Sequence, residues 1–197
     1  VTDLAPWAAD LGCEAAALRA VVAVESAGRG RGPDGRATIR LEVHHLWRRA
    51  ANKAAIDERF RVKGPKPWEG HEFLYYTGNT GGSREWRAMH TGQALEWVAY
   101  VCASTLDPDA ACRATSWGVG QVLGDWTRLG FASVADFEAA QTTEAGQLDT
   151  MVRFIRADPV LVNALRNRDF VSFAGRYNGT GKTADYSAKL AAAYRLA

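Results

Sequence analysis

The sequence predicts a mainly α fold with a minor β part: a bundle of short helices with one small strand or hairpin region beside a cleft. Three observations point there. Helix start signals, a Ser, Thr or Asp just before an apolar run, recur along the chain, twice as Asp-Pro. The helical runs are short and punctuated by Gly or polar turns. A single segment, residues 38–43 (TIRLEV), alternates apolar and polar residues as a half-buried strand does.

In chain order, residues 3–11 read as a short amphipathic helix closed by Gly12, which tolerates the left-handed backbone that ends helices. Residues 14–26 (EAAALRAVVAVES) form the next helix, stopped at Ala27-Gly28. Residues 29–37 are a loop with a turn at Pro33-Asp34-Gly35. After the strand at 38–43, residue 44 to about residue 55 returns to helix. Residues 61–82 are rich in Gly and aromatics and read as an irregular excursion lining a cleft. Ser83 then reads as the N-cap of a long helix over 84–104, with Trp86, Met89, Ala94, Trp97 and Val101 near helical spacing. Asp107-Pro108 opens a short helix, because Pro at the first helical position lacks only an N–H that would be unpaired anyway. Ser133 caps 134–140, and Thr142 or Thr143 opens a helix to about residue 156. Asp158-Pro159 repeats the start signal, Asp169 caps 170–177, and 184–196 is the last helix.

With 197 residues, no internal repeat and no linker, the chain reads as one domain over 1–197. It starts without Met and reads as a piece cut from a longer protein. Net charge is +2 with both signs interspersed, which argues against a nucleic-acid partner, since a phosphate-binding surface needs clustered cations. The one basic cluster, Arg29, Arg31, Arg36 and Arg40, reads as a solvated loop. No apolar run approaches the ~20 residues a membrane span needs, so no membrane insertion is expected. Cys13, Cys102 and Cys112 form neither a disulfide framework nor a zinc motif, and pairing of Cys102 with Cys112 stays open. The four histidines, His44, His45, His71 and His90, lack metal-ligand spacing such as HExxH, so no metal and no cofactor are expected. Nothing in the chain requires more than a monomer.

Glu25 stands out on physical grounds. Leu18, Val21 and Val22 precede it by seven, four and three residues, so the carboxylate ends an apolar helical stripe. Loss of hydration there raises a carboxyl pKa and lets Glu donate a proton near neutral pH.

Three stretches carry a resemblance. Glu25-Ser26-Ala27-Gly28, then Gly35-Arg36, then Leu41-Glu42-Val43-His44 resemble the N-acetylmuramidase family of phage endolysins and bacterial secreted effectors. That family shows a Glu-Ser-x-Gly step, a Gly-Arg pair and a Phe-Glu-x-His-like strand end; here Leu41 replaces the aromatic residue. Residues 114–124 (ATSWGVGQVLG) resemble the Ser-x-Gly-x-x-Gln stretch that lines the sugar cleft of lysozyme-like enzymes. Arg176-Tyr177-Asn178-Gly179 resembles their Tyr-Asn-Gly step, whose Tyr approaches the catalytic carboxyl.

The resemblance implies a lysozyme-like peptidoglycan hydrolase that cuts the bond between N-acetylmuramic acid and N-acetylglucosamine, with Glu25 as general acid. It implies that Ser116, Trp117, Gln121, Tyr177 and Asn178 contact the glycan strand. Glycoside hydrolysis usually uses a second carboxylate. Among Asp34, Glu42, Asp125 and Asp185, Glu42 is favoured by its place at the strand end, with activation of water by Glu25 itself as the alternative. Two other readings stay open: a lytic transglycosylase releasing anhydro sugars, and a peptidoglycan-binding module that cuts nothing. Such a domain would act at the bacterial cell wall or periplasm after phage lysis or secretion, and a secreted effector would need an immunity protein.

Overall fold

The computed structural model describes residues 3–27, 29–77, 82–179 and 183–197. Over them the chain forms eleven helices and two three-stranded antiparallel sheets. The N-terminal helices α1 (Ala5–Leu11) and α2 (Ala15–Ser26) precede strand β1 (Ile39–Leu41), helices α3 (Val43–Arg49) and α4 (Lys53–Asp57), and strands β2 (Phe60–Val62), β3 (His71–Tyr76) and β4 (Arg84–Ala88). Then come α5 (Gln93–Leu106), α6 (Pro108–Arg113), β5 (Thr115–Trp117) and β6 (Val122–Leu123). Helices α7 (Val134–Gln141), α8 (Glu144–Arg156), α9 (Pro159–Asn167), α10 (Phe170–Tyr177) and α11 (Thr183–Arg195) complete the chain.

The local start and stop signals act as expected. Asp107, Ser133, Thr143, Asp158 and Asp169 each accept a bond from a backbone N–H in the first turn of the helix they open. Gly12 closes α1 at φ 67°. Ala27 closes α2 in the same left-handed conformation, φ 51°, while Gly28 lies outside the described residues.

Two stretches depart from the expectation. Residues 84–88 are not the first turns of a long helix but strand β4, and α5 begins only at Gln93. The excursion over 61–82 contains β2 and β3, which pair with β4 in the order β2-β3-β4. Cross-strand partners explain both. The Arg61 guanidinium lies 4.1 Å over the Trp86 ring, and that of Arg87 lies 4.2 Å over Tyr75. Such cation–aromatic pairs exist only when the three strands are side by side. Ser83 caps nothing; its hydroxyl and carbonyl meet Thr77. The helix expected from residue 44 starts at Val43 and is interrupted between Arg49 and Lys53, where Asn52 caps α4.

The strand read over 38–43 is β1, shortened to three residues, in the sheet β1-β5-β6. Ile39 pairs with Trp117 and Leu41 with Thr115, which brings the loop after β5 against Thr38. Gln93 of α5 stands in for a fourth strand: its Oε1 accepts from Ile39 N at 2.8 Å and its Nε2 donates to Ile39 O at 3.0 Å. Helix α2 packs against α11, and α10 lies against α9 and α11, so both chain ends share one helical layer. Ala17, Leu18, Ala20 and Val21 of α2 are buried in it. All three cysteines are free thiols, and Cys112 instead donates to Gly124 O.

Candidate active site

Glu25 sits in the last turn of α2, half-buried, following the buried Leu18 and Val21 along its helix. Tyr186 of α11 donates its hydroxyl proton to Glu25 Oε1, and Asn178 Nδ2 donates to the same oxygen at 3.3 Å. Burial holds the carboxyl above its ordinary pKa, and the two hydrogen bonds offset part of that rise. The group therefore stays protonated to higher pH than a solvated Glu, while having donors in place for its charged form.

Tyr177, next to Asn178, lies near enough for the Glu25 charge to raise its pKa further, though burial does most of that. Its ring stacks on Phe173, and its hydroxyl donates to Gly120 O at 2.7 Å. That bond ties the end of α10 to the turn between β5 and β6. One residue on, Gln121 holds a left-handed backbone at φ 45°, and its Nε2 donates to Gly118 O and Thr38 O. Gln121, Thr38, Arg40 and His90 line a cavity of about 420 Å³. The structure thus links Glu25, Asn178, Tyr177 and the Gln121 turn through a continuous set of contacts.

Ser116 is half-buried in the middle of β5, opposite Arg40 and Leu123. Trp117 alternates to the other side and belongs to the core. It is 2% exposed, packed edge-on by Trp97, Tyr100 and Phe137, with Nε1 turned to Cys112 O. A ring so enclosed packs the core, which argues against the substrate contact expected at Trp117.

Glu42 belongs to a different cluster. Among the described residues no hydrogen bond or ion pair joins it to Glu25. Its Oε1 accepts from Arg40 Nε at 2.7 Å, and its Oε2 lies 3.4 Å from His71 Nδ1 and 3.7 Å from His44 Nδ1. His71 Nδ1 is 3.0 Å from His90 Nε2, and His90 Nδ1 is 2.5 Å from Glu96 Oε1. Burial lowers the His71 pKa. Spacing along the chain did not announce this set, because its members come from the β1–α3 junction, β3 and the turn before α5.

The other carboxylates weighed as partners are engaged or exposed. Asp34 pairs with Arg36 within its turn, Asp125 pairs with Arg113, and Asp185 is exposed in the first turn of α11. Tyr186 was not anticipated. Its one sequence signal is the spacing to Leu190, which puts the phenol on the buried face of α11 where its hydroxyl must find an acceptor.

A family model described as Muramidase, N-acetylmuramidase, matches residues 14–197. No curated protein matches the chain. Among solved structures the chain resembles the endolysin of Burkholderia AP3 phage, at 34% identity and a TM-score of 0.73, over 98% of this chain and 68% of that one. A family match from α2 to the last helix, together with this likeness in sequence and fold, shows that the chain belongs to the N-acetylmuramidase family and is a peptidoglycan hydrolase of the lysozyme-type glycoside hydrolases.

Proposed function

We propose that the chain hydrolyses the β-1,4 bond between N-acetylmuramic acid and N-acetylglucosamine, with Glu25 as the general acid. The observation that carries this reading is the environment of Glu25: a carboxyl raised by burial and bonded by Tyr186 and Asn178. Protonated Glu25 gives its proton to the glycosidic oxygen as that bond breaks. The carboxylate left behind accepts the Tyr186 and Asn178 hydrogen bonds, which are strongest for the charged form. It then takes a proton from the water that adds to the sugar carbon, and the acid is restored. Gln121, Tyr177, Asn178 and Ser116 position the glycan. This route needs no second carboxylate, in keeping with the engagement of Glu42 Oε1 by Arg40.

The enzyme acts at the cell wall after delivery and works as a monomer; where a producing bacterium delivers it as an effector, an immunity protein protects that cell. The test is wild type, Glu25→Gln and Glu42→Gln incubated with peptidoglycan sacculi, with soluble products read by mass spectrometry. Wild type is expected to release reducing disaccharide-peptides, and Glu25→Gln to lose about 10²–10⁴-fold in rate, the usual worth of a general acid. Glu42→Gln is expected to fall well short of that loss; an equal loss with unchanged circular dichroism would return Glu42 to the role of second carboxylate. Anhydro ends would make the enzyme a transglycosylase, and wall binding without release would make it a binding module.

A further inference from the structure

The Glu42, His71 and His90 side chains bring three atoms able to bind a metal ion together in one partly buried cluster. His71 Nε2 lies 2.8 Å from Pro67 O, and a carbonyl only accepts, so Nε2 carries the proton. With Nε2 so engaged, His71 turns its other ring nitrogen, Nδ1, toward the cluster. His90 Nδ1 lies 2.5 Å from Glu96 Oε1, which leaves Nε2 as the ring nitrogen that faces the cluster. These two ring nitrogens face each other at 3.0 Å. Glu42 Oε2, a third acceptor, lies 3.4 Å from His71 Nδ1 and is buried without a hydrogen-bond donor of its own. Three atoms able to bind a metal ion thus converge, all within 4.8 Å of one another.

We propose that this cluster binds a divalent transition-metal ion of the zinc class, with Glu42 Oε2, His71 Nδ1 and His90 Nε2 as ligands. Ligand chemistry and spacing both fit. Zinc is held by imidazole nitrogen and carboxylate oxygen at about 2.0–2.1 Å, and tetrahedral ligands at that length sit about 3.3 Å apart. The two shorter separations in the cluster, 3.0 and 3.4 Å, bracket that value. The outer bonds are those that metal-bound histidines make, one ring N–H on a backbone carbonyl and the other on a carboxylate. His44 Nδ1, 3.7 Å from Glu42 Oε2 and buried without a hydrogen-bond partner, stands beside this set, and a water is the fourth ligand. The ion joins the β1–α3 junction, β3 and the turn into α5, so it fastens the β2-β3-β4 sheet to the helical body. Its role is structural and independent of the proton transfer proposed for Glu25.

The test is zinc chloride titrated calorimetrically into protein stripped with chelator, with cobalt substitution read by visible absorption. Wild type is expected to take up one equivalent, to show the intense bands of four-coordinate cobalt, and to melt higher with zinc than without. His90→Gln and Glu42→Gln, each checked by circular dichroism for an intact fold, are expected to weaken zinc binding at least tenfold. Glu96→Gln keeps an oxygen for the Leu41 N–H and is expected to weaken binding about 10–100-fold through His90. No uptake by wild type overturns the proposal. So does uptake undiminished in both ligand variants, which would put the metal elsewhere, the free thiols included.

Discussion

At Glu25 two opposing effects meet, and each can be removed alone. Tyr186 lowers the carboxyl pKa by bonding its charged form, whereas burial raises it. Tyr186→Phe keeps the ring and deletes the bond, so the pKa is expected to rise further. The alkaline limb of the activity profile then moves to higher pH, with lower turnover at its optimum; a pH series of wall-clearing rates checks this. The same shift has a consequence for stability. A carboxyl whose pKa is raised in the fold stabilises fully below its unfolded value, about 4.5, and that contribution is lost as pH rises through the folded value. Glu25→Gln, which never ionises, is therefore expected to melt above wild type at neutral pH, with the difference closing below about pH 4.5. Thermal melts from pH 3.5 to 8 decide it.

At the scale of elements, local chemistry and long-range pairing divide the fold. Capping succeeds from sequence because donor and acceptor are two or three residues apart, as with Asp107 and Ala110 or Asp169 and Ser172. Strand β4 fails because REWRA has no strong preference of its own and is decided by Tyr75 and Arg61 from other strands. Ends of elements also offer direct tests. Ala27 holds a left-handed backbone that costs an ordinary side chain about 1 kcal/mol, so Ala27→Gly is expected to stabilise α2 by about 0.5–1 kcal/mol in urea unfolding. Just after β6, a Cβ on Gly124 would lie 2.3 Å from the Cys112 carbonyl oxygen, which is backbone and cannot turn aside. Gly124→Ala is expected to cost about 3 kcal/mol or more by the same measurement, because strand and helix must separate to admit it.

Across the whole molecule, the N-terminal and C-terminal helices hold each other. Arg166 Nε donates to Leu11 O at 2.8 Å, Arg168 pairs with Glu14, and Tyr194 donates to Glu14 Oε2 at 2.5 Å. Because α2 and α11 pack face to face, removing either end would expose the apolar face of the other. We expect the chain to unfold as one domain, with a single calorimetric transition whose van't Hoff and calorimetric enthalpies agree. Two separated transitions would divide the β2-β3-β4 sheet from the helical body.

The sequence by itself determined the helical class, the capped starts of α6 to α10 and the place of Glu25 at the end of an apolar helical stripe, since each rests on residues within about two helical turns of one another. The tertiary structure alone decided that Trp117 is core, that Tyr186 holds the carboxyl, and that Glu42 stands among histidines. Those assignments depend on partners as many as 161 residues away, brought together by the burial of apolar faces; no local pattern encodes which faces will meet.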